Sequence, residues 1–121
     1  MAEYLPIHKP GEAITLKASA AITGGQIVVV TGSGTVGPAG ATATNWVGVA
    51  SNDASTNDYV TIFCDGVQNC TASGTVTAGD TVSTAAGGAV ATNGAPAVGN
   101  VVGVAITTAT TGNKVRVKFA R

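Results

Sequence analysis

At 121 residues the chain fits one domain, long enough to bury a core without metal or disulfide staples. Six Lys and Arg balance six Asp and Glu, so the net charge is zero and nothing global points to nucleic acid. The 17 glycines follow no three-residue period and no run of about 18 apolar residues occurs, which excludes collagen and a membrane-crossing helix.

Val, Thr and Ile between Gly-rich turns predict strands, and no segment of helical period appears. In chain order, residues 1–12 come first, and their Pro6, Pro10 and Gly11 read as an extended arm. Proline fixes φ and removes a donor, so Tyr4, Leu5, Pro6, Ile7, His8, Lys9 and Pro10 suit the surface of another molecule better than a sheet. The segment lacks a basic region followed by an apolar run, so no secretory leader is read. Synthesis is expected in a cytoplasm, with Cys64 and Cys70 reduced. Strands are predicted over Ala13–Ala18, Gln26–Thr31, Trp46–Ser51, Tyr59–Cys64, Val67–Ala72, Asp80–Thr84, Asn100–Thr107 and Lys114–Phe119. Gly24-Gly25, Asp65-Gly66, Gly87-Gly88 and Asn93-Gly94 supply the turns. The expected organisation is an arm and first strand over 1–17, then a single β domain over 18–121.

That domain repeats. Ile22-Thr23-Gly24-Gly25-Gln26-Ile27-Val28 matches Val76-Thr77-Ala78-Gly79-Asp80-Thr81-Val82, and Val47-Gly48-Val49-Ala50 matches Val102-Gly103-Val104-Ala105. Val60-Thr61-Ile62 then matches Val115-Arg116-Val117. The fold class read from this is all-β: a small barrel or sandwich made from two similar units, about 18–66 and 72–121, neither of which buries its apolar face alone. Period two places Val115, Val117 and Phe119 inside, and by the repeat also Val60, Ile62 and Cys64. Lys114, Arg116 and Lys118 then face outward, as do Tyr59, Thr61 and Phe63. Two readings of Tyr59 and Phe63 stand: a contact with another molecule, or cover from elsewhere in the chain. Trp46, Tyr59 and Phe63 are the candidates for a subunit interface. The basic stripe also has two readings, a meeting with an acidic partner or a solvated face that guards an edge.

Catalytic and ligand motifs are weak. Gly32-Ser33-Gly34-Thr35-Val36-Gly37 spells G-x-G-x-x-G, but Pro38-Ala39-Gly40 follows where a dinucleotide site needs a helix, so it reads as a turn. His8 is the only histidine and lies in the arm, away from a nucleophile or metal partners. The six acids form no calcium loop. No catalytic residue, metal ligand or cofactor is expected. Nor is a nucleic-acid or membrane partner.

Ala18–Val28, Trp46–Ala50, Thr75–Val82 and Val102–Ala105, in this order and spacing, make the chain resemble the capsid cement, or decoration, proteins of tailed bacteriophages. The resemblance implies a structural protein on the outside of an expanded icosahedral head, commonly a homotrimer, bridging subunits of the major capsid protein against the pressure of packaged DNA. The resemblance carries over neither catalytic nor contact residues, and the Pro-fixed arm at residues 4–10 is the candidate capsid contact on its own chemistry. Two other functions compete: a surface-displayed receptor- or glycan-binding module, and a carrier or small enzyme on a similar scaffold. The carrier reading needs a modifiable lysine at a hairpin tip. No lysine here falls at one.

Overall fold

A computed structural model describes residues 13–94 and 99–120. It is built from ten strands: β1 Ala13–Ala18, β2 Ile27–Gly32, β3 Thr35–Pro38, β4 Trp46–Ala50, β5 Tyr59–Phe63, β6 Val67–Thr71, β7 Thr81–Ala85, β8 Ala89–Thr92, β9 Gly103–Ala105 and β10 Lys114–Phe119. The first five close into a barrel in the order β1-β3-β2-β4-β5. The last five form a sheet in the order β6-β10-β9-β7-β8, the same path around the unit. In the first barrel a parallel pairing of Ala18 with Val36 closes the ring. In the second unit a single parallel bridge between Ala72 and Val90 stands in the same place.

The duplication is therefore present hydrogen bond by hydrogen bond. Ile22 and Ala54 exchange backbone bonds, and so do Val76 and Ala109. Ser19 N donates to Val36 O as Ser73 N donates to Val90 O, and Ser51 N donates to Thr61 O as Ile106 N donates to Arg116 O. The repeating unit begins at β1 and β6, so the strand before residue 18 belongs to the first unit. Each unit fills its own interior with eight matching buried side chains. They pair as Ala18/Ala72, Ile22/Val76, Val28/Val82, Val36/Val90, Ala50/Ala105, Ala54/Ala109, Val60/Val115 and Ile62/Val117.

The two repeated motifs have separate physical causes. In T-x-G, Gly25 and Gly79 sit at φ 92° and 94°, a region that costs an L side chain strain. The next residue caps the turn: Thr23 N donates to Gln26 Oε1 at 2.8 Å, and Thr77 N to Asp80 Oδ2 at 2.9 Å. In V-G-V-A the glycine answers a close approach of backbones. A Cβ on Gly48 would overlap the Phe63 carbonyl oxygen and lie 2.9 Å from its carbon. A Cβ on Gly103 would overlap the Lys118 carbonyl in the same way.

The outer face of the first barrel packs on the second unit. Ile27, Ala39, Trp46 and Val49 join the second unit's core, and Trp46 meets Phe119 edge-to-face with ring centroids 5.5 Å apart. Beside this apolar seam, Thr84 is buried with its hydroxyl fully used. Its Oγ1 donates to Gly40 O at 2.8 Å and accepts the Ala43 N–H at 2.7 Å. Thr42 N donates to Thr84 O, Gly88 N to Ala39 O, and Gln26 Nε2 to Gly87 O. The two units are joined by this apolar contact and by these hydrogen bonds.

Three expectations change. The G-x-G-x-x-G stretch turns only at Ser33-Gly34, and its second half is β3. β8 lies between the turns at Gly87-Gly88 and Asn93-Gly94, where no strand is predicted. The strand predicted over 100–107 narrows to Gly103–Ala105.

Candidate functional site

Strand registry aligns one row of outer residues on each unit. In the first barrel it runs Ile27, Val49, Phe63, Ala13 across β2, β4, β5 and β1. In the second it runs Thr81, Val104, Lys118, Val67 across β7, β9, β10 and β6. The rows are equivalent, yet their surroundings differ. Val49 is 4% exposed because the second unit covers it, whereas Val104 is 46% exposed. The covered end of the first row grades into solvent at Phe63, which is 41% exposed. Tyr59, in register with Lys17 of β1, is 70% exposed. No described residue covers its face, and two aromatics on one strand make an apolar surface of the kind that binds.

Trp46 corrects the sequence reading. It was expected at a subunit interface, but it is 3% exposed and committed to Phe119 inside the chain. It lies outside its own barrel because a bulge at Val47, between the pairs Val28–Gly48 and Val29–Trp46, breaks the alternation that would turn it inward, and the second unit buries it. Tyr4, Leu5, Pro6, Ile7, His8, Lys9 and Pro10 lie outside the described residues.

Lys114, Arg116 and Lys118 project from the outer face of β10, exposed at alternate positions. β10 is paired on both sides, to β6 and to β9, so the stripe guards no edge. Lys114 Nζ donates to Thr71 Oγ1 at 2.9 Å. The exposed aliphatics beside this stripe, Val67, Val104 and Ile106, escaped the sequence reading. The signal that finds Val104 is its match to Val49 in the V-G-V-A repeat.

The cysteines divide differently from expectation. Both are free, but Cys64 is only half-buried and Cys70 is the core thiol. Burial pushes the Cys70 thiol up to about 12, against a smaller opposing pull from Lys114. Cys64 is raised by burial first and by the charge of Asp65 second. A thiol reagent at mildly alkaline pH is expected to label Cys64 slowly in the native chain and Cys70 only on unfolding. The pH dependence has a definite sign. Below the unfolded thiol's pKa, near 8.5, both states hold the Cys70 proton and its contribution is complete. As pH rises towards about 12, only the unfolded chain ionises, and stability falls by about 1.4 kcal/mol per pH unit from this group. Denaturant unfolding from pH 8 to 11 checks it, and Cys70→Ala should flatten the slope.

Among the described residues no three His, Cys, Asp or Glu side chains group closely enough to hold a metal ion. No helix of the described residues is long and apolar enough to cross a membrane. What the geometry offers is a pair of docked β units with an aromatic outer face on one and a cationic, aliphatic outer face on the other. Such an object works by surface contact, as a structural or binding protein. The phage cement protein family matches residues 8–119, and the chain belongs to that family. Its role is accordingly structural and capsid-associated. The fold is shared with the N base of the head fiber gp8.5 of bacteriophage phi29, at a TM-score of 0.70 and 17% identity. That match covers 89% of this chain and 92% of the other. No curated protein matches the chain.

Proposed function

We propose that the chain decorates the outside of an icosahedral phage head as a homotrimer, binds the major capsid protein and bridges neighbouring capsid subunits. The observation that carries this reading is the family match over residues 8–119, which takes in the end of the arm as well as both β units. The arm, residues 4–10, lies along the shell. Its prolines lower the entropy lost on docking. Tyr59 and Phe63 meet a neighbouring copy, which accounts for two exposed aromatics on one strand. The Trp46 and Thr84 seam holds the two units together, so load on one is passed to the other. Many copies on one lattice add their contacts, so each contact can be modest. The protein is made in the bacterial host cytoplasm and acts on the virion.

Co-sedimentation with purified heads tests this. The full chain should pellet with heads and saturate at a fixed ratio, and deletion of residues 1–12 should lower occupancy about tenfold or more. A chain that stays in the supernatant contradicts the reading, and full occupancy without the arm removes the arm from the contact.

A further inference from the structure

We propose that the outer face of the second unit, where β6, β10 and β9 run side by side, docks on a protein surface that sets carboxylates among aliphatic side chains. The proposal rests on the capsid reading above, in which that surface belongs to the shell, and it names a contact distinct from the arm and from Tyr59 and Phe63.

Four observations converge on this face. First, Lys114, Arg116 and Lys118 stand about 7 Å apart along one exposed side of β10, close enough to repel one another. Second, their cross-strand neighbours are Thr71, Asn69 and Val67 on β6 and Val104 on β9, so no carboxylate opposes them in the sheet. Third, β10 is a central strand of its sheet, so these cations serve no edge-guarding purpose. Fourth, aliphatic side chains interleave with the charges. Val67, Lys118 and Val104 share one row, and Ile106 lies beside Arg116, whose carbonyl accepts the Ile106 N–H at 2.7 Å. Val67, Val104 and Ile106 are each about half exposed (51%, 46% and 49%).

The two halves of the pattern select the partner. A solvated strand face has no use for three exposed aliphatics. A polyanion such as DNA would satisfy the cations through phosphates and leave the aliphatics in water. A protein surface with acidic and apolar residues satisfies both: apolar contact at the Val67 and Val104 row, and charge pairing from the flanking Lys and Arg. The first barrel shows what the same row does when it is covered. There Ile27 and Val49 are buried under the second unit. The equivalent row of the second unit keeps valine at 104, and nothing described in this chain covers it.

The test is head binding by two full-length variants as a function of salt. One carries Lys114→Glu, Arg116→Glu and Lys118→Glu. The other carries Val104→Ser and Ile106→Ser, which alters no buried position. Thermal unfolding establishes that each is folded, and if the triple variant is not, Arg116→Glu alone replaces it. Charge reversal is expected to weaken binding about tenfold or more, and to abolish the loss of wild-type affinity between about 50 and 200 mM salt. The serine variant should weaken binding with its salt dependence intact. Wild-type binding to heads with both folded variants unchanged overturns this proposal and leaves the capsid reading standing. Failure of the wild type itself to bind heads overturns both. Loss of self-association with head binding unchanged would assign the face to a second copy, and retention on DNA rather than on heads would assign it to a polyanion. Either result contradicts the proposal.

Discussion

Gly103→Ala is expected to destabilise the chain by about 3 kcal/mol or more, near the upper end for an added core methyl. The added Cβ meets backbone rather than a movable side chain. It would overlap the Lys118 carbonyl oxygen and lie 2.8 Å from its carbon and 3.1 Å from Phe119 Cα. Relief requires β9 to move off β10, which breaks the pairing of Phe119 with Gly103 and disturbs the contact with Trp46. Gly48→Ala should behave alike, since its Cβ would press on the Phe63 carbonyl and on Ile62 Cγ2. Gly40→Ala is the control: nothing lies within 4 Å of its Cβ position, and its effect should stay within about 0.5 kcal/mol. Urea unfolding followed by the fluorescence of Trp46, the only tryptophan, measures all three. A loss below about 1 kcal/mol at Gly103 would contradict the strand spacing described here.

Trp46→Ala should cost about 3–5 kcal/mol, the range for removing a large buried aromatic. The ring is 3% exposed and supplies the edge-to-face partner of Phe119 across the contact between the units. Its removal leaves a cavity bounded by two separate sheets, which cannot collapse without moving one unit against the other. Because Thr84 ties the loop at 40–43 to β7, the two units should still unfold together, in one transition at lower temperature. Circular dichroism during heating shows this. Two separated transitions in the native protein would mean that the seam does not couple the units.

Much of this architecture was readable from local pattern, and the exceptions share one cause. V-G-V-A and T-x-G were visible because each answers a requirement within its own unit: a close backbone approach at Gly48 and Gly103, and a left-handed turn at Gly25 and Gly79. Alternation correctly turned Val60, Ile62, Val115 and Val117 inward. β3 was hidden because Thr35-Val36-Gly37-Pro38 carries turn chemistry, and its strand character comes from non-local pairing, with β2 on one side and β1 on the other. Trp46 was assigned to a contact between chains, whereas the contact lies between the two halves of one chain. Cys64 shows the same blind spot. The repeat aligns it with the buried Phe119, but Phe119 packs on Trp46 in the core that the two units share, and the residue matching Trp46 in the other unit is the smaller, partly exposed Val101. A repeat in sequence reports what the units share. The docking of one on the other breaks their equivalence, and with it comes the difference between the aromatic and the cationic outer faces.

The basic stripe follows the same logic. Read along β10 alone, alternating Lys and Arg look like edge protection. Only the pairing of β10 with β9 makes the strand central and turns the stripe into a surface that guards no edge. Sites that work by contact leave this kind of trace, with side chains whose exposure the fold does not explain.

The most direct measurement is cryo-electron microscopy of phage heads prepared with and without the chain. The expected difference density lies on the outer surface of the shell at a fixed set of lattice positions, with each copy accommodating the two docked β units. Heads that are identical in the two preparations, or density confined to the interior, would contradict the role described here.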